Sequence, residues 1–241
     1  MHRRVQNLVA GLAAKGIIVI EWGSLLYSRY DVPLVYTEFS FLVDDDFIEA
    51  ACLLTEEQGF PPTESIPILI RCHGKYETIA RHFGRFRQRV NLFPRFFAGF
   101  RANEMCLAPL NLSDAYPSVL IAKPAPIVAS LVRLISQVHF TDPMSSILRH
   151  DLCMMISYSL FDMSYEGSYI VLDEESEDDV EQQRRQTVKR NQTWEGWRGD
   201  EVWIADAVQA IIQGNGNYDF LPATLLGRAW GVPFLPMLQT T

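Results

Sequence analysis

Gly23 and Ser24 stand directly after the run GIIVIEW, and Glu38 and Ser40 sit two residues apart in the alternating stretch VYTEFSFLVD. These residue types suit phosphate and metal chemistry. A Gly-Ser pair opening a helix offers backbone N–H groups and a hydroxyl to an anion such as phosphate. Residues i and i+2 of a strand project from the same face, so two carboxylates at that spacing can share metal ions, but here the second position is the neutral Ser40. Further on, Arg85, Arg87 and Arg89 alternate within RHFGRFRQR. If that segment is extended, three guanidinium forks line one side, where they can hold phosphate or carboxylate or simply form a solvated strand face. Asp44, Asp45 and Asp46 are consecutive and therefore point apart, and Asp46 reads as a helix cap rather than a metal ligand. The histidines show no pairing at ligand spacing, so no residue set reads as a dedicated metal site.

The elements that must position these groups follow from periodicity. Residues 5–14 place Val5, Leu8, Val9 and Leu12 at helical spacing, with Gly16 as the stop. GIIVIEW reads as a strand, and Ser24 as the N-cap of a short helix broken at Asp31-Val32-Pro33. In VYTEFSFLVD, Tyr36, Glu38, Ser40 and Leu42 share one face, and Thr37, Phe39, Phe41 and Val43 the other. A helix over FIEAACLLTEEQG follows, then a strand at IPILIRC, a short helix at KYETIARHF, and strands at RQRVNLFPR and EMCLAPLNL. Three apolar helices are expected beyond residue 113: PAPIVASLVRLISQ, a second opened by Asp142-Pro143, and DEVWIADAVQAIIQGNG. Between the last two, residues 173–193 are acidic, then basic, and read as a flexible surface insertion. The expected architecture is α/β (α+β): a mixed sheet of about five strands with flanking helices in residues 1–112, and a mainly helical part in residues 113–241.

Composition narrows the function classes. The chain has 241 residues, 48% hydrophobic and 21% charged, enough for a sizeable core. Its formal net charge of -8 argues against a nucleic-acid partner, which needs a surplus of Lys and Arg. Cys52, Cys72, Cys106 and Cys153 have no metal-ligand spacing and read as buried residues of a reducing compartment, so the Asn191-Gln192-Thr193 sequon is expected to be silent. No signal-like N-terminus and no membrane-spanning apolar run is visible, which points to a cytoplasmic protein without a membrane partner.

Gly23-Ser24, the 13 residues that separate it from Glu38-Phe39-Ser40, and the later RVNLFP together resemble the nucleotidyltransferase superfamily. The stretch Trp22-Gly23, Leu26, Tyr30, Val32-Pro33 is similar to the fungal nucleotidyltransferase-like proteins of its small-molecule branch. The resemblance covers roughly residues 16–112. It implies transfer from a nucleoside triphosphate to a small hydroxylated acceptor, with Trp22, Gly23 and Ser24 beside the nucleotide. It also implies Mg²⁺ held by three carboxylates, at the positions of Glu38, Ser40 and Asn91. Only Glu38 is an acid, so Mg²⁺ belongs to the reading only if the family chemistry survives. Three readings stay open: an enzyme, a catalytically silent binding or interaction protein, and a cleft reused for metal-independent acid/base chemistry by Glu38. In each, the ligand lies between the α/β and helical parts. Gly23-Ser24 is expected at a strand-to-helix turn, with Glu38 and Ser40 on an adjacent strand facing the same cleft.

Overall fold

The computed structural model describes residues 2–34, 38–65, 67–85, 88–110, 118–160, 177–194 and 197–213. It is a mixed α/β protein built on one six-stranded sheet. The strands are β1 (Ile20–Trp22), β2 (Glu38–Val43), β3 (Arg81–Arg85), β4 (Gln88–Pro94), β5 (Met105–Pro109) and β6 (Ser118–Ala122), in the order β3-β4-β2-β1-β6-β5. β2 is antiparallel to β1 and parallel to β4, β6 is parallel to β1, and β3 and β5 close the two edges as antiparallel partners. The helices are α1 (His2–Ala14), α2 (Ser24–Tyr27), α3 (Ile48–Glu57), α4 (Pro67–His73), α5 (Lys75–Ile79), α6 (Pro124–Gln137), α7 (Pro143–Ser159), α8 (Glu177–Thr193) and α9 (Val202–Ile212).

The alternation of β2 separates two cores. Phe39, Phe41 and Val43 join Val90, Leu92 and the buried Val5, Leu8, Val9 and Leu12 stripe of α1 on one side of the sheet. Ile20, Trp22, Leu42 and Phe93 pack on the other side with α6, α7 and α9. That second core runs from Ile20 to Ile212, so the helical half closes over the sheet. The expected boundary at residue 112 falls between β5 and β6, which are hydrogen-bonded neighbours. Among the described residues no helix is long and apolar enough to cross a membrane.

The mixed α/β sheet is as expected, with six strands among the described residues against about five, and the differences are local. Of IPILIRC, residues 67–72 lie in the helix α4, not in a strand, and Ile66 lies outside the described residues; the short apolar run fits either period, and Pro67 at the helix start suits a first turn. Arg81–Phe83, expected as a helix end, begins β3 because Ala80 is already extended and a hairpin with β4 is available. Asp46 does not cap α3. The chain enters through a 3₁₀ turn at Asp45–Phe47, which moves the cap position to Phe47. The charged segment is helical over Glu177–Thr193. Its Glu, Gln and Arg residues favour helix, and Thr187 and Asn191, four apart, bury a narrow seam that includes a hydrogen bond from Asn191 Nδ2 to Ala205 O at 3.0 Å. Residues 173–176 of that segment lie outside the described ones. Asn191 is thus buried, as suits a silent sequon. Cys72 and Cys106 are exposed, contrary to the buried reading, while Cys52 is buried and its thiol is pushed up to about 11, chiefly by burial. Asp142 does cap α7 as expected, accepting from Met144 N at 2.9 Å.

Candidate functional site

β1 ends at Trp22, and Gly23 turns the chain into α2 with φ 63° and ψ -144°, a conformation that favours glycine. Gly23, not Ser24, occupies the N-cap position; Ser24 is the first helical residue and makes no capping bond. The helix has only four residues, so it lends an anion little of a macrodipole.

Beside this turn, one row of side chains crosses four strands. Ser40 pairs with Trp22 on β1 and with Asn91 on β4, and Asn91 pairs with His82 on β3. A Cβ placed on Gly23 would lie 3.8 Å from that of Ser40. Glu38, two residues before Ser40, shares its face and is half-buried. Gly23, Glu38, Ser40 and Asn91 therefore converge on one face of the sheet.

The row is internally bonded. Asn91 Nδ2 donates to Ser40 Oγ at 3.3 Å, and Asn91 Oδ1 lies 2.8 Å from His82 Nδ1. His82 Nε2 lies 2.6 Å from Glu77 O, so both ring nitrogens face oxygens. Next to it, Arg89 Nη2 donates to Glu77 Oε1 at 2.7 Å, and His73 Nδ1 lies 3.4 Å from Glu77 Oε2. Burial alone would raise the Glu77 carboxyl, but the Arg89 hydrogen bond, the His82 charge and the His73 contact hold it below the usual range. Ser40, Glu77, His82, Arg89 and Asn91 are all buried.

This geometry does not fit Mg²⁺. The single oxygen of Asn91 is engaged by His82, Ser40 Oγ accepts from Asn91, and one carboxylate remains. A hard cation that dehydrates reluctantly needs charged oxygens, and the Arg89 guanidinium stands near the row instead. Among the described residues no group of three or more His, Cys, Asp or Glu is arranged to hold a metal. The arginine expectation also changes. A hairpin separates Arg85 on β3 from Arg89 on β4, with Arg85 opposite Gln88, so the alternation does not run through them. Arg89 is committed to Glu77, Arg85 is exposed at the sheet edge, and Arg87 lies outside the described residues. Trp22 is fully buried among Tyr27, Phe97 and Phe100, at ring separations of 6.3, 5.8 and 5.8 Å.

Sequence reasoning missed the groups that cover this face. Tyr76 of α5 sits over the turn, its hydroxyl 3.7 Å from where a Gly23 Cβ would lie. Tyr27 of α2 donates to Asp151 Oδ2 of α7 at 3.2 Å. Burial raises both phenols well above their ordinary value; Asp151 and Tyr76 add to this at Tyr27, and Glu38 and Asp151 at Tyr76. Glu38, Tyr76 and Asp151 are each half-buried. Spacing alone could not find Asp151, which comes from a helix more than a hundred residues beyond Glu38 and whose pattern advertises only core. An open apolar hollow lined by Lys15, Phe47, Leu53 and Glu57 lies on the opposite side of the sheet, against α1 and α3, and includes none of these groups.

Burial pushes the Asp151 carboxyl from 3.8 up to about 7, with the Tyr27 hydrogen bond opposing it. The folded state therefore keeps a proton that the unfolded chain has lost. The associated stability is complete below about 3.8 and is lost as pH rises through about 7. Asp151→Asn should remove this dependence and gain on the order of 2 kcal/mol over the native chain at pH 8. Thermal melts of both proteins between pH 5 and 8 check this; parallel melting curves across that range would show that Asp151 does not titrate there.

Comparison of the chain with family models and with curated proteins finds no match.

Proposed function

We propose that this chain is a nucleotidyltransferase-like protein that binds a nucleotide or another small organic ligand on the sheet face of Gly23, Glu38, Ser40 and Asn91, with metal-dependent transfer impaired. One observation carries the reading: Gly23, Glu38, Ser40 and Asn91, the positions on which the resemblance rests, lie side by side across β1, β2 and β4. Their chemistry supports the loss of transfer. Two metals that stabilise attacking and leaving oxygens need several carboxylates, and this row supplies Glu38 alone.

The positions can be tested by restoring the acids. Ser40→Asp with Asn91→Asp places three carboxylates on one face, so Mg²⁺ affinity should rise by about tenfold or more over the native protein. The native chain should bind Mg²⁺ no better than a lone exposed glutamate. Calorimetric Mg²⁺ titration of both proteins gives the answer, with circular dichroism to establish that the variant is folded. A folded variant with no gain would mean that the three positions do not act as one site.

A further inference from the structure

Two helices on the far side of the sheet from the candidate site carry charge of opposite sign. Residues 2–15, which run through α1, include Arg3, Arg4 and Lys15 and no acid. Residues 44–58, which run through α3, include Asp44, Asp45, Asp46, Glu49, Glu56 and Glu57 and no base. Arg3, Arg4, Lys15, Glu56 and Glu57 are exposed. The two helices lie side by side and run in opposite directions. A Cβ on Gly59 would lie 3.9 Å from Arg4 Nη2, one on Gly11 would lie 3.6 Å from Leu54 Cδ2, and Lys15 shares the hollow with Phe47 and Ala50. The charges work against each helix taken alone. Arg3 and Arg4 stand in the first turn of α1 and Glu56 and Glu57 in the last turn of α3, each at a dipole end of its own sign.

Between these charges the surface is apolar. Val5, Leu8, Val9 and Leu12 turn toward the sheet, so helical spacing leaves Ala10 and Ala14 on the outer side of α1, where both are exposed. On α3, Leu53 is 62% exposed and has Glu49, Glu56 and Glu57 as its helical neighbours. Phe47, 46% exposed, and Ala50 line the hollow beside it. Alanines at the outer positions of α1 let another helix approach closely.

A face that is basic on one helix, acidic on its antiparallel neighbour and apolar between them is complementary to itself. We propose that a second copy of this chain docks on it, about a two-fold axis parallel to α1 and α3 and midway between them. The half-turn lays α1 of each copy over α3 of the other, antiparallel and level. Arg3 and Arg4 of one copy then stand opposite Glu56 and Glu57 of the other, and Leu53 covers Ala10 and Ala14. A partner helix of a single charge sign is favoured less, because one of the two helices would repel it. Helices of 13 and 10 residues, at about 1.5 Å per residue, make a face no more than about 20 Å long. An interface of that size suits a dimer with a dissociation constant on the order of micromolar.

Sedimentation equilibrium on the full chain between about 1 and 100 µM should show a monomer–dimer equilibrium, with several-fold weaker association at high salt. Leu53→Lys should weaken it by about tenfold or more, since it places a charge at the centre of the face. The decisive test mixes two charge-reversed proteins. Arg3→Glu with Arg4→Glu makes both helices acidic, and Glu56→Lys with Glu57→Lys makes the ends that face each other basic. Each protein alone should associate about tenfold or more weakly than the native chain, whereas an equimolar mixture should form the heterodimer. Recovery on mixing also shows that both variants are folded. A native chain that stays monomeric throughout, whether the face is open or covered by another part of the same chain, overturns the proposal. So does a dimer that Leu53→Lys leaves intact, or a mixture that associates no better than its two components.

Discussion

Replacing Arg89 with Met should destabilise the protein by about 3–5 kcal/mol, because it strands the Glu77 carboxylate under α5 with its strongest partner gone. Glu77 and Arg89 are 2% and 6% exposed, and their contact is 2.7 Å, so water cannot substitute for the lost guanidinium. The deficit should depend on pH with a definite sign. In the native chain Glu77 is held below its ordinary 4.5, so its stabilisation is present above that value and is lost as pH falls through the lowered one. In the variant Glu77 prefers its proton, so the gap between the two proteins should narrow toward pH 4. Glu77→Gln in the Arg89→Met background should recover part of the loss, since it removes the uncompensated charge. Urea denaturation at pH 7 and pH 4 measures all of this. A loss below about 1 kcal/mol at pH 7 would leave Arg89 free for ligand, as its place in the sequence first suggests.

The second large effect is expected at Gly74, the hinge between α4 and α5. Its φ is 56°, and a Cβ there would lie 2.0 Å from Asp142 Oδ1 and 3.0 Å from Pro143 Cδ. Asp142 is also the N-cap of α7, so the hinge packs directly on the cap. Gly74→Ala should therefore cost about 2–4 kcal/mol, adding left-handed strain to a displaced cap. Asp142→Ala alone should cost about 1 kcal/mol. If the clash is the cause, the double variant should lose less than the sum of the two. Chemical denaturation of the four proteins forms the cycle. A Gly74→Ala variant within about 0.5 kcal/mol of the native chain would place α4–α5 away from α7.

The parts of the molecule legible in the sequence are those whose pattern is set by burial on one side. The α1 stripe, the alternation of β2 and the Asp142-Pro143 start of α7 each obey a period or a cap chemistry that leaves little choice. IPILIRC was illegible because seven residues fit either period, and its neighbours decided it. RHFGRFRQR was misleading for a related reason: its alternating arginines suggest one extended face, while β3 and β4 pair antiparallel with Arg85 opposite Gln88. The candidate site divides along the same line. Gly23, Glu38, Ser40 and Asn91 could be placed together because each lies on a strand or at its end. Tyr76, Glu77 and Asp151 arrive on helices that the sequence shows only as connectors or core, and their meeting is a long-range result of packing.

Loss of metal-dependent transfer is the central claim, and nucleoside triphosphate binding tests it most directly. Calorimetric titration of the native chain with adenosine triphosphate, with and without excess Mg²⁺, should be paired with a pyrophosphate-release assay on the same samples. Weak binding that Mg²⁺ does not strengthen, with no pyrophosphate above the protein-free control, is the expected result. Tight Mg²⁺-dependent binding accompanied by pyrophosphate release would contradict it.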